Sequence, residues 1–439
     1  MLPKEFTEKM RRLLGDDYTR FLASYTQPRN AALRLNPRKC PAPLPAFCAQ
    51  PVAWAAGGYY LKEGTRPGLH PYHDAGAYYM QEASAMAPAA LLDAQPEERV
   101  LDLCAAPGGK STQIAAAMRG SGLLVCNEIH PKRAKILASN IERLGIANAL
   151  VLNEHPAHLA ERFPAYFDRI LVDAPCSGEG MFRKEEAALT DWSAQTVEMC
   201  AARQFEILSS AAKMLRPGGR LVYSTCTFSP EENEGVVSRF LRTHPAFSVQ
   251  QVDAPWFSAG RPDWIDDPAD GLEHTFRLFP HLLRGEGQYA AVLRSEGDTQ
   301  AAPPAPQRPA ALAAETTDFL KEGGIAPSGV PLCFGDRWFL APQALPALDG
   351  LKVVRVGLEL GQVRKGRFLP AHALALWLRE YPNRADFSPQ EVLPYLRGET
   401  LHGSAAGWVL VCVDGMSLGW AKGSDGVLKN HYPKGLRRV

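Results

Sequence analysis

The sequence predicts an α/β protein: a doubly wound, mainly parallel sheet, with a small α+β segment before it and a β-rich module after it. Two observations predict this. Between residues 100 and 225, short apolar runs alternate with helical stretches, the rhythm of strand–helix–strand units. At residues 296–314, EGDTQAAPPAPQRPAALAA breaks that rhythm with four prolines and no hydrophobic period, the composition of a linker. A chain of 439 residues has room for several such units.

Taken in order, residues 4–25 read as short helices, with Phe6, Met10, Leu13 and Leu14 at helical spacing. After Pro28, NAALRLNP predicts a strand, and residues 40–75 are irregular and rich in Pro and Gly. The Ala-rich stretch Tyr78–Leu92 predicts a helix, with Gln81 and Ser84 near its start. Strands are expected at Val100–Leu103, Leu123–Asn127, Ala149–Asn153, Ile170–Asp173 and Arg220–Thr225, with helices at 131–144 and 193–215. His274–Phe279 and Tyr289–Arg294 then close the sheet. Beyond the linker, LKVVRVGLELGQV and GWVLVCVDGMSLGWAK are short strands around Gly and Asp-Gly turns, with a helix near 371–380. The expected units are 1–90, 91–295, the linker 296–314, 315–380 and 381–439.

Composition excludes several classes. With 46% hydrophobic and 22% charged residues the chain is an ordinary globular one. Its nine cysteines include no CxxC pair, which argues against a disulfide framework or a zinc site. MLPKEFTEKMRR is too charged for a signal peptide, and no apolar run suffices to cross a bilayer, so a cytoplasmic protein is expected. The net charge of +1 averages unequal parts: residues 352–439 hold 13 Lys and Arg against 7 Asp and Glu. Basic ends suit a phosphate-rich partner, although charge alone fits a solvated face equally well.

The strand VLDL runs directly into CAAPGGKS and a helix, where a doubly wound sheet binds its ligand. Gly108 and Gly109 admit close approach, and the helix amino-terminus favours negative charge. A Walker A loop would need Gly at position 104, which is Cys, and no G-x-G-x-x-G is present. The remaining ligand reading is S-adenosylmethionine, with Glu128 accepting from both ribose hydroxyls and Asn153 facing the adenine edge. A tight turn without ligand is not excluded by this loop alone.

Two further strands end in ILVDAPCSGEGMFRK and LVYSTCTFSPEENEG, each placing a Cys at that same edge. A lone Cys is usually a small buried hydrophobe. A pair at a catalytic rim, with Asp173 three residues before one of them, suits a specific chemistry. Carbon 5 of cytosine is a poor nucleophile; a thiolate adding at carbon 6 makes it enamine-like and able to take a methyl group. Asp173 is placed to donate a proton at N3, and a base must later remove the carbon 5 proton.

CAAPGGK, DAPCSGEG and STCT resemble, in order and spacing, the motifs of the NOL/NOP/Sun-type RNA cytosine-5 methyltransferases. The resemblance implies a Rossmann-like methyltransferase domain using S-adenosylmethionine. It implies that Cys226 is the nucleophile and that Cys176 assists breakdown of the adduct, with Asp173 and Lys110 at the active site. DNA cytosine methyltransferases attack with the Pro-Cys cysteine instead, but the complete Thr-Cys segment favours Cys226. The family's cofactor contacts map onto Cys104, Ala105, Ala106, Pro107, Gly108, Gly109, Lys110, Glu128, Arg133, Asn153 and Asp173. Asn153 stands where many members carry Asp.

RNAALRLNP and HPYHDAGAYYMQEASAM are similar to the family's entry region, an RNA-binding amino-terminal domain. His70, His73 and Asp74 read as loop polar residues, with no metal expected. The carboxyl-terminal segments resemble those of the bacterial ribosomal-RNA small-subunit methyltransferase F group, whose end is a PUA-like RNA-binding module. Independently of that resemblance, Arg364, Lys365 and Arg367, with Lys429, His431, Tyr432 and Lys434, cluster cations beside an aromatic residue, a surface able to grip phosphates and stack a base; a solvated basic terminus is the alternative.

The expected function is 5-methylcytosine formation in small-subunit (16S) ribosomal RNA, by a monomer acting on free RNA or an assembled 30S subunit. The base must be unstacked to meet the thiol. Alternatives are a transfer-RNA methyltransferase, a non-catalytic RNA-binding assembly factor with this fold, and a P-loop hydrolase, the last disfavoured by Cys104.

Overall fold

The computed structural model describes residues 2–438 apart from 41, 45, 185, 297–301 and 303. Residues 297–301 and 303 of the expected linker therefore lie outside the described residues. Its described remainder is tied down, with Gln307 N–H donating to the Leu345 carbonyl (3.0 Å) and Ala310 N–H to Pro331 (2.7 Å).

Five parallel strands form the centre: β1 (Arg99–Asp102), β2 (Leu123–Asn127), β3 (Ala149–Leu152), β4 (Phe167–Asp173) and β5 (Leu215–Thr225). Then β6 (Phe276–Leu278) and β7 (Gln288–Ser295) complete the order β3-β2-β1-β4-β5-β7-β6, with β7 antiparallel to β5 and β6. Every residue of β2 and β3 is buried, as expected of strands covered on both faces. Burying each Leu or Val there contributes about 1.5–3 kcal/mol. From β1 the chain steps outward through β2 to β3, then crosses back to β4 on the other side of β1, and that reversal opens a crevice at the carboxyl ends of the strands.

The amino-terminal sheet is antiparallel, in the order Cys48–Pro51, Gly58–Leu61, Ala32–Leu35, Tyr78–Met80. Tyr78–Met80 is thus a strand, and the helix expected across 78–92 begins only at Ala87. Pairing of Leu35 with Tyr78 and Leu33 with Met80 overrides the helical bias of the alanines. The helices Lys4–Leu14 and Tyr18–Ser24 bury Phe6, Met10 and Phe21 against Phe182, Phe228 and Phe279. Phe182 follows β4 and Phe228 follows β5, so the amino-terminal helices rest on the loops that carry the two cysteines.

LKVVRVGLELGQV does not stay in one module. Val353–Val356 adds to the central sheet as an antiparallel strand beside β3, covering an edge that would otherwise be unpaired. At Gly357 (φ 51°) the chain turns so tightly that a Cβ would lie 2.1 Å from the Leu340 carbonyl. Leu358–Arg364 then joins the sheet Val330–Phe334, Arg337–Ala341, Leu358–Arg364, Arg367–Pro370. The final sheet holds the hairpin Gly407–Val413 and Met416–Ser424 around Asp414-Gly415. Lys39 joins it to the amino-terminal domain by donating to the carbonyls of Ala75 (2.5 Å) and Ser417 (3.0 Å), and Arg438 pairs with Asp74.

One expectation fails here. Tyr432 is buried, packed edge-on against His372 (5.2 Å) and tilted against Tyr395 (5.4 Å), and offers no face to a base. Trp408 takes the more open position, with His431 at 4.7 Å and the Lys422 ammonium 4.9 Å over its ring. Arg364 is paired with Asp336 (3.1 Å). His70 caps the short helix Pro71–Asp74 by accepting from Tyr72 N–H. Among the described residues no helix is long and apolar enough to cross a membrane.

Candidate active site

The register of β4 and β5 sets Asp173 beside Ser224, so the loops after them leave the sheet together. They bring Cys176 Sγ and Cys226 Sγ to 3.3 Å. The residues following the cysteines are also joined: Ser177 Oγ lies 2.9 Å from Thr227 Oγ1. Glu232 closes this clamp. Its carboxylate accepts from the Ser177 hydroxyl, from Ser177 N–H (2.9 Å) and from Gln204 Nε2 (2.8 Å). Gly180 N–H donates to the Cys226 carbonyl at 2.8 Å, and a Cβ on Gly180 would sit 2.9 Å from that oxygen. The hydrogen bond to Cys226, with burial behind it, pushes the Cys176 thiol well above its ordinary range, so Cys176 keeps its proton beside its neighbour. Burial likewise raises Glu232, to about 7.

Asp173 receives Lys110 Nζ (2.7 Å), Ser224 Oγ (2.7 Å) and Gln288 Nε2 (3.3 Å). Three converging donors make it an acceptor. Proton donation at N3 was expected of Asp173; here it engages as an acceptor, with three of its roughly four lone-pair positions occupied and one on Oδ2 left open. Burial disfavours the Lys110 ammonium, but the Asp173 carboxylate more than offsets it and Lys110 is raised above its usual value. Lys110 therefore stays a cation beside Asp173.

At the β1 end, Gly108 has φ 113° and Gly109 begins the helix Gly109–Ala117. A Cβ at Gly109 would press on Tyr79 (3.2 Å) and Gln81 (3.5 Å), so the amino-terminal domain supports the loop from beneath. Fully buried Arg34 makes the same connection, donating to Thr112 Oγ1 (2.7 Å) and Gln81 Oε1 (3.2 Å). The carbonyls of Ala106 and Pro107 accept from Arg133 (2.8 Å) and Asn140 (2.9 Å).

A cavity of about 960 Å³ joins the two ends of the site. Cys104, Ala106, Glu128, Arg133, Asp173, Cys176 and Cys226 line it, together with Ile129, Pro175 and Arg203. Ala105, Pro107, Gly108, Gly109 and Lys110 build the loop behind that wall. Glu128 accepts from His130 N–H (2.9 Å), lies 3.3 Å from Arg133, and keeps lone pairs facing the cavity. Asn153 is absent from the lining: its amide donates to the carbonyls of Glu128 (2.7 Å) and Ile129 (2.9 Å), fixing the turn that carries Glu128. An acidic residue at a strand end, a glycine turn and apolar walls of this size fit a nucleoside-bearing ligand.

Family comparison matches 89–294 to "16S rRNA methyltransferase RsmB/F". Residues 2–83 match the N-terminal domain of 16S rRNA methyltransferase RsmF, 318–378 its first C-terminal domain, and 382–438 its PUA domain. Ribosomal RNA small subunit methyltransferase F of Erwinia tasmaniensis is 32% identical across 99% of this chain and 97% of its own length. That of Escherichia coli is 33% identical across 99% and 96%. The chain belongs to the ribosomal RNA small subunit methyltransferase F family. Among solved structures, a methyltransferase homologue from Pyrococcus horikoshii is 28% identical with a TM-score of 0.59, covering 67% of this chain and 95% of that one. NSun6 from Pyrococcus horikoshii, solved with SFG, shares the fold at 21% identity and TM-score 0.57 over 67% and 99%.

For this family member, the motifs pointed to the two cysteines, Asp173, Lys110 and Glu128, which the fold gathers within one site. The clamp of Ser177, Thr227, Gln204 and Glu232 went unread, as did Arg34 and Arg203. One signal was present: SPEENE directly after the Thr-Cys segment is a polar run, yet Ser229, Glu232, Asn233 and Glu234 are buried.

Proposed function

We infer that this protein is an S-adenosylmethionine-dependent cytosine-5 methyltransferase of small-subunit ribosomal RNA, with Cys226 as its nucleophile. The observation that carries this reading is the pair of sulfurs 3.3 Å apart at one end of a cavity whose other end holds Glu128. S-adenosylmethionine, when bound, supplies a methyl group activated on a sulfonium; the loop 104–109, Glu128 and Arg133 would hold it.

The Cys226 thiolate adds to carbon 6 of an unstacked cytosine, forming the S–C6 bond and moving electron density to carbon 5. The Lys110 ammonium, oriented by Asp173, offsets the negative charge that develops on the ring, and the Asp173 carboxylate can accept from the exocyclic amino group. Carbon 5 takes the methyl group. With Cys226 now bonded to carbon, the hydrogen bond that most raised Cys176 is gone, which eases loss of its proton, against the burial that remains, through the cavity that Cys176 lines. The Cys176 thiolate then accepts the hydrogen from carbon 5, the S–C6 bond breaks, and the electron pair returns to Cys226.

Two experiments test this. Bisulfite mapping of ribosomal RNA from a strain lacking the protein should show one or more unmethylated cytosines in the small-subunit RNA; an unchanged map, or a loss confined to transfer RNA, refutes the substrate. Cys226→Ala should abolish covalent trapping on 5-fluorocytosine RNA, whereas Cys176→Ala should form the adduct and release it slowly. Trapping by Cys226→Ala would make Cys176 the nucleophile.

A further inference from the structure

Far from the cysteines, at the amino ends of β1–β3, two adjoining clefts of about 160 and 680 Å³ share Arg38, Arg119 and Gly120 in their walls. Glu97, Gly122 and Asn148, which immediately precede these strands, mark this as the sheet edge opposite the active site. Three parts of the chain meet there. Arg38 comes from the amino-terminal domain, Arg119 from the end of the Gly109–Ala117 helix, and Arg379 from just beyond the helix His372–Trp377.

The charge in these clefts is one-sided. Arg34, Arg38, Arg119 and Arg379 line them against a single carboxylate, Glu97. Arg34 is satisfied internally by Gln81 and Thr112. Arg38 is fixed in place, donating to the Trp377 carbonyl (3.1 Å) with its guanidinium 5.7 Å from that ring. Arg119 and Arg379 are exposed, and among the described residues neither has an ion-pair partner. Burial, and next the Arg379 charge, hold Arg38 below its usual pKa. Cations forced together without counter-charge repel, and an anion entering between them relieves that repulsion. Guanidinium forks match phosphate oxygens in geometry as well as charge.

We propose that this groove is a second phosphate-binding site, gripping the backbone of an RNA segment remote from the reacting cytosine. The proposal rests on the reading of the chain as an RNA methyltransferase. A contact at the opposite edge of the sheet carries no base information; it sets register and orientation, which a folded RNA needs if one cytosine is to reach Cys226. Free phosphate offers the same chemistry, so the test separates the two sources.

Arg119→Ala, Arg379→Ala and the double variant change exposed side chains outside the catalytic machinery. Binding of a small-subunit RNA transcript is measured against salt, alongside methylation of that transcript and of a short cytosine-containing oligonucleotide. Each substitution should lower the slope of log Kd against log salt by about 0.7, and the double variant by about 1.4. KM for the transcript should rise several-fold in the double variant while kcat, and turnover of the oligonucleotide, stay at wild-type values. An unchanged slope overturns the proposal. So does calorimetry in which inorganic phosphate binds the wild type and not the double variant while RNA binding is unaltered, which would make this a small-anion site. Failure of the wild type to methylate the transcript would instead strike at the RNA-methyltransferase reading, and the slope comparison distinguishes the two failures.

Discussion

Removing one hydroxyl group should loosen the catalytic pair without touching either sulfur. Ser177→Ala deletes the Ser177 Oγ that bonds both Glu232 and Thr227, while Ser177 N–H keeps its bond to Glu232. A hydrogen bond to a carboxylate contributes about 1.5–3 kcal/mol and a neutral one about 1 kcal/mol; Glu232 is left short of a donor and the Thr227 hydroxyl short of an acceptor in a buried site. The expected loss is about 2–4 kcal/mol in urea unfolding. Thr227→Val cuts the other end of the neutral bond, so the two substitutions should couple by about 1 kcal/mol in a double-mutant cycle. The catalytic effect comes from positioning: a displacement of about 1 Å can cost a factor of about 100 in rate. Trapping on 5-fluorocytosine RNA reports attack by Cys226, and single-turnover decay of the adduct on ordinary RNA reports the part of Cys176. Ser177→Ala should slow decay more than attack, because Ser177 adjoins Cys176. Strict additivity of the two variants, together with a wild-type decay rate, would refute the clamp.

Other perturbations probe the surroundings. Gly180→Ala places a Cβ 2.7 Å from the Gly287 carbonyl and 2.9 Å from that of Cys226, both backbone atoms, and should cost about 1–3 kcal/mol while reducing adduct formation; wild-type trapping would contradict this. Arg34→Ala removes three hydrogen bonds under the cofactor loop, two of them buried, and should lower stability by about 3 kcal/mol, raising KM for S-adenosylmethionine more than for RNA. Asp102 is fully buried, and desolvation raises its carboxyl from 3.8 to about 7. The folded state therefore holds its proton more tightly than the unfolded chain, so the group's contribution is full below pH 3.8 and is lost as pH rises to about 7. Asp102→Asn removes this dependence: its stability relative to wild type should climb by up to about 1.4 kcal/mol per pH unit across that window and level off above it. Denaturant titrations between pH 4.5 and 8 measure the difference, and a flat one would rule the account out.

Much of the site was legible because its chemistry is local in sequence. CAAPGGKS, DAPC and STC each follow a strand, so their side chains share one edge of any parallel sheet that those strands build. Roles were less legible than positions. Asp173 was read as a donor because its three partners lie 51, 63 and 115 residues away, on Ser224, Lys110 and Gln288. Asn153 was read as facing adenine because it ends a strand; what the sequence did not show is that its amide nitrogen donates twice to the turn that carries Glu128. Tyr432 was read as exposed because its neighbours are cationic, whereas the last sheet packs it inward.

The sequence by itself determined where the central strands lie along the chain, the loops at their ends and the residue types those loops carry. Those properties follow from hydrophobic period, glycine placement and motif spacing, which act within a few residues. Only the tertiary structure decided that the two sulfurs stand 3.3 Å apart, that Glu232 and Ser177 hold them there, and that Val353–Val356 closes the sheet beside β3. Arg38, Arg119 and Arg379, from three separate parts of the chain, face one groove for the same reason. Contacts of that kind depend on which surfaces pack together, and packing is settled by the whole fold at once.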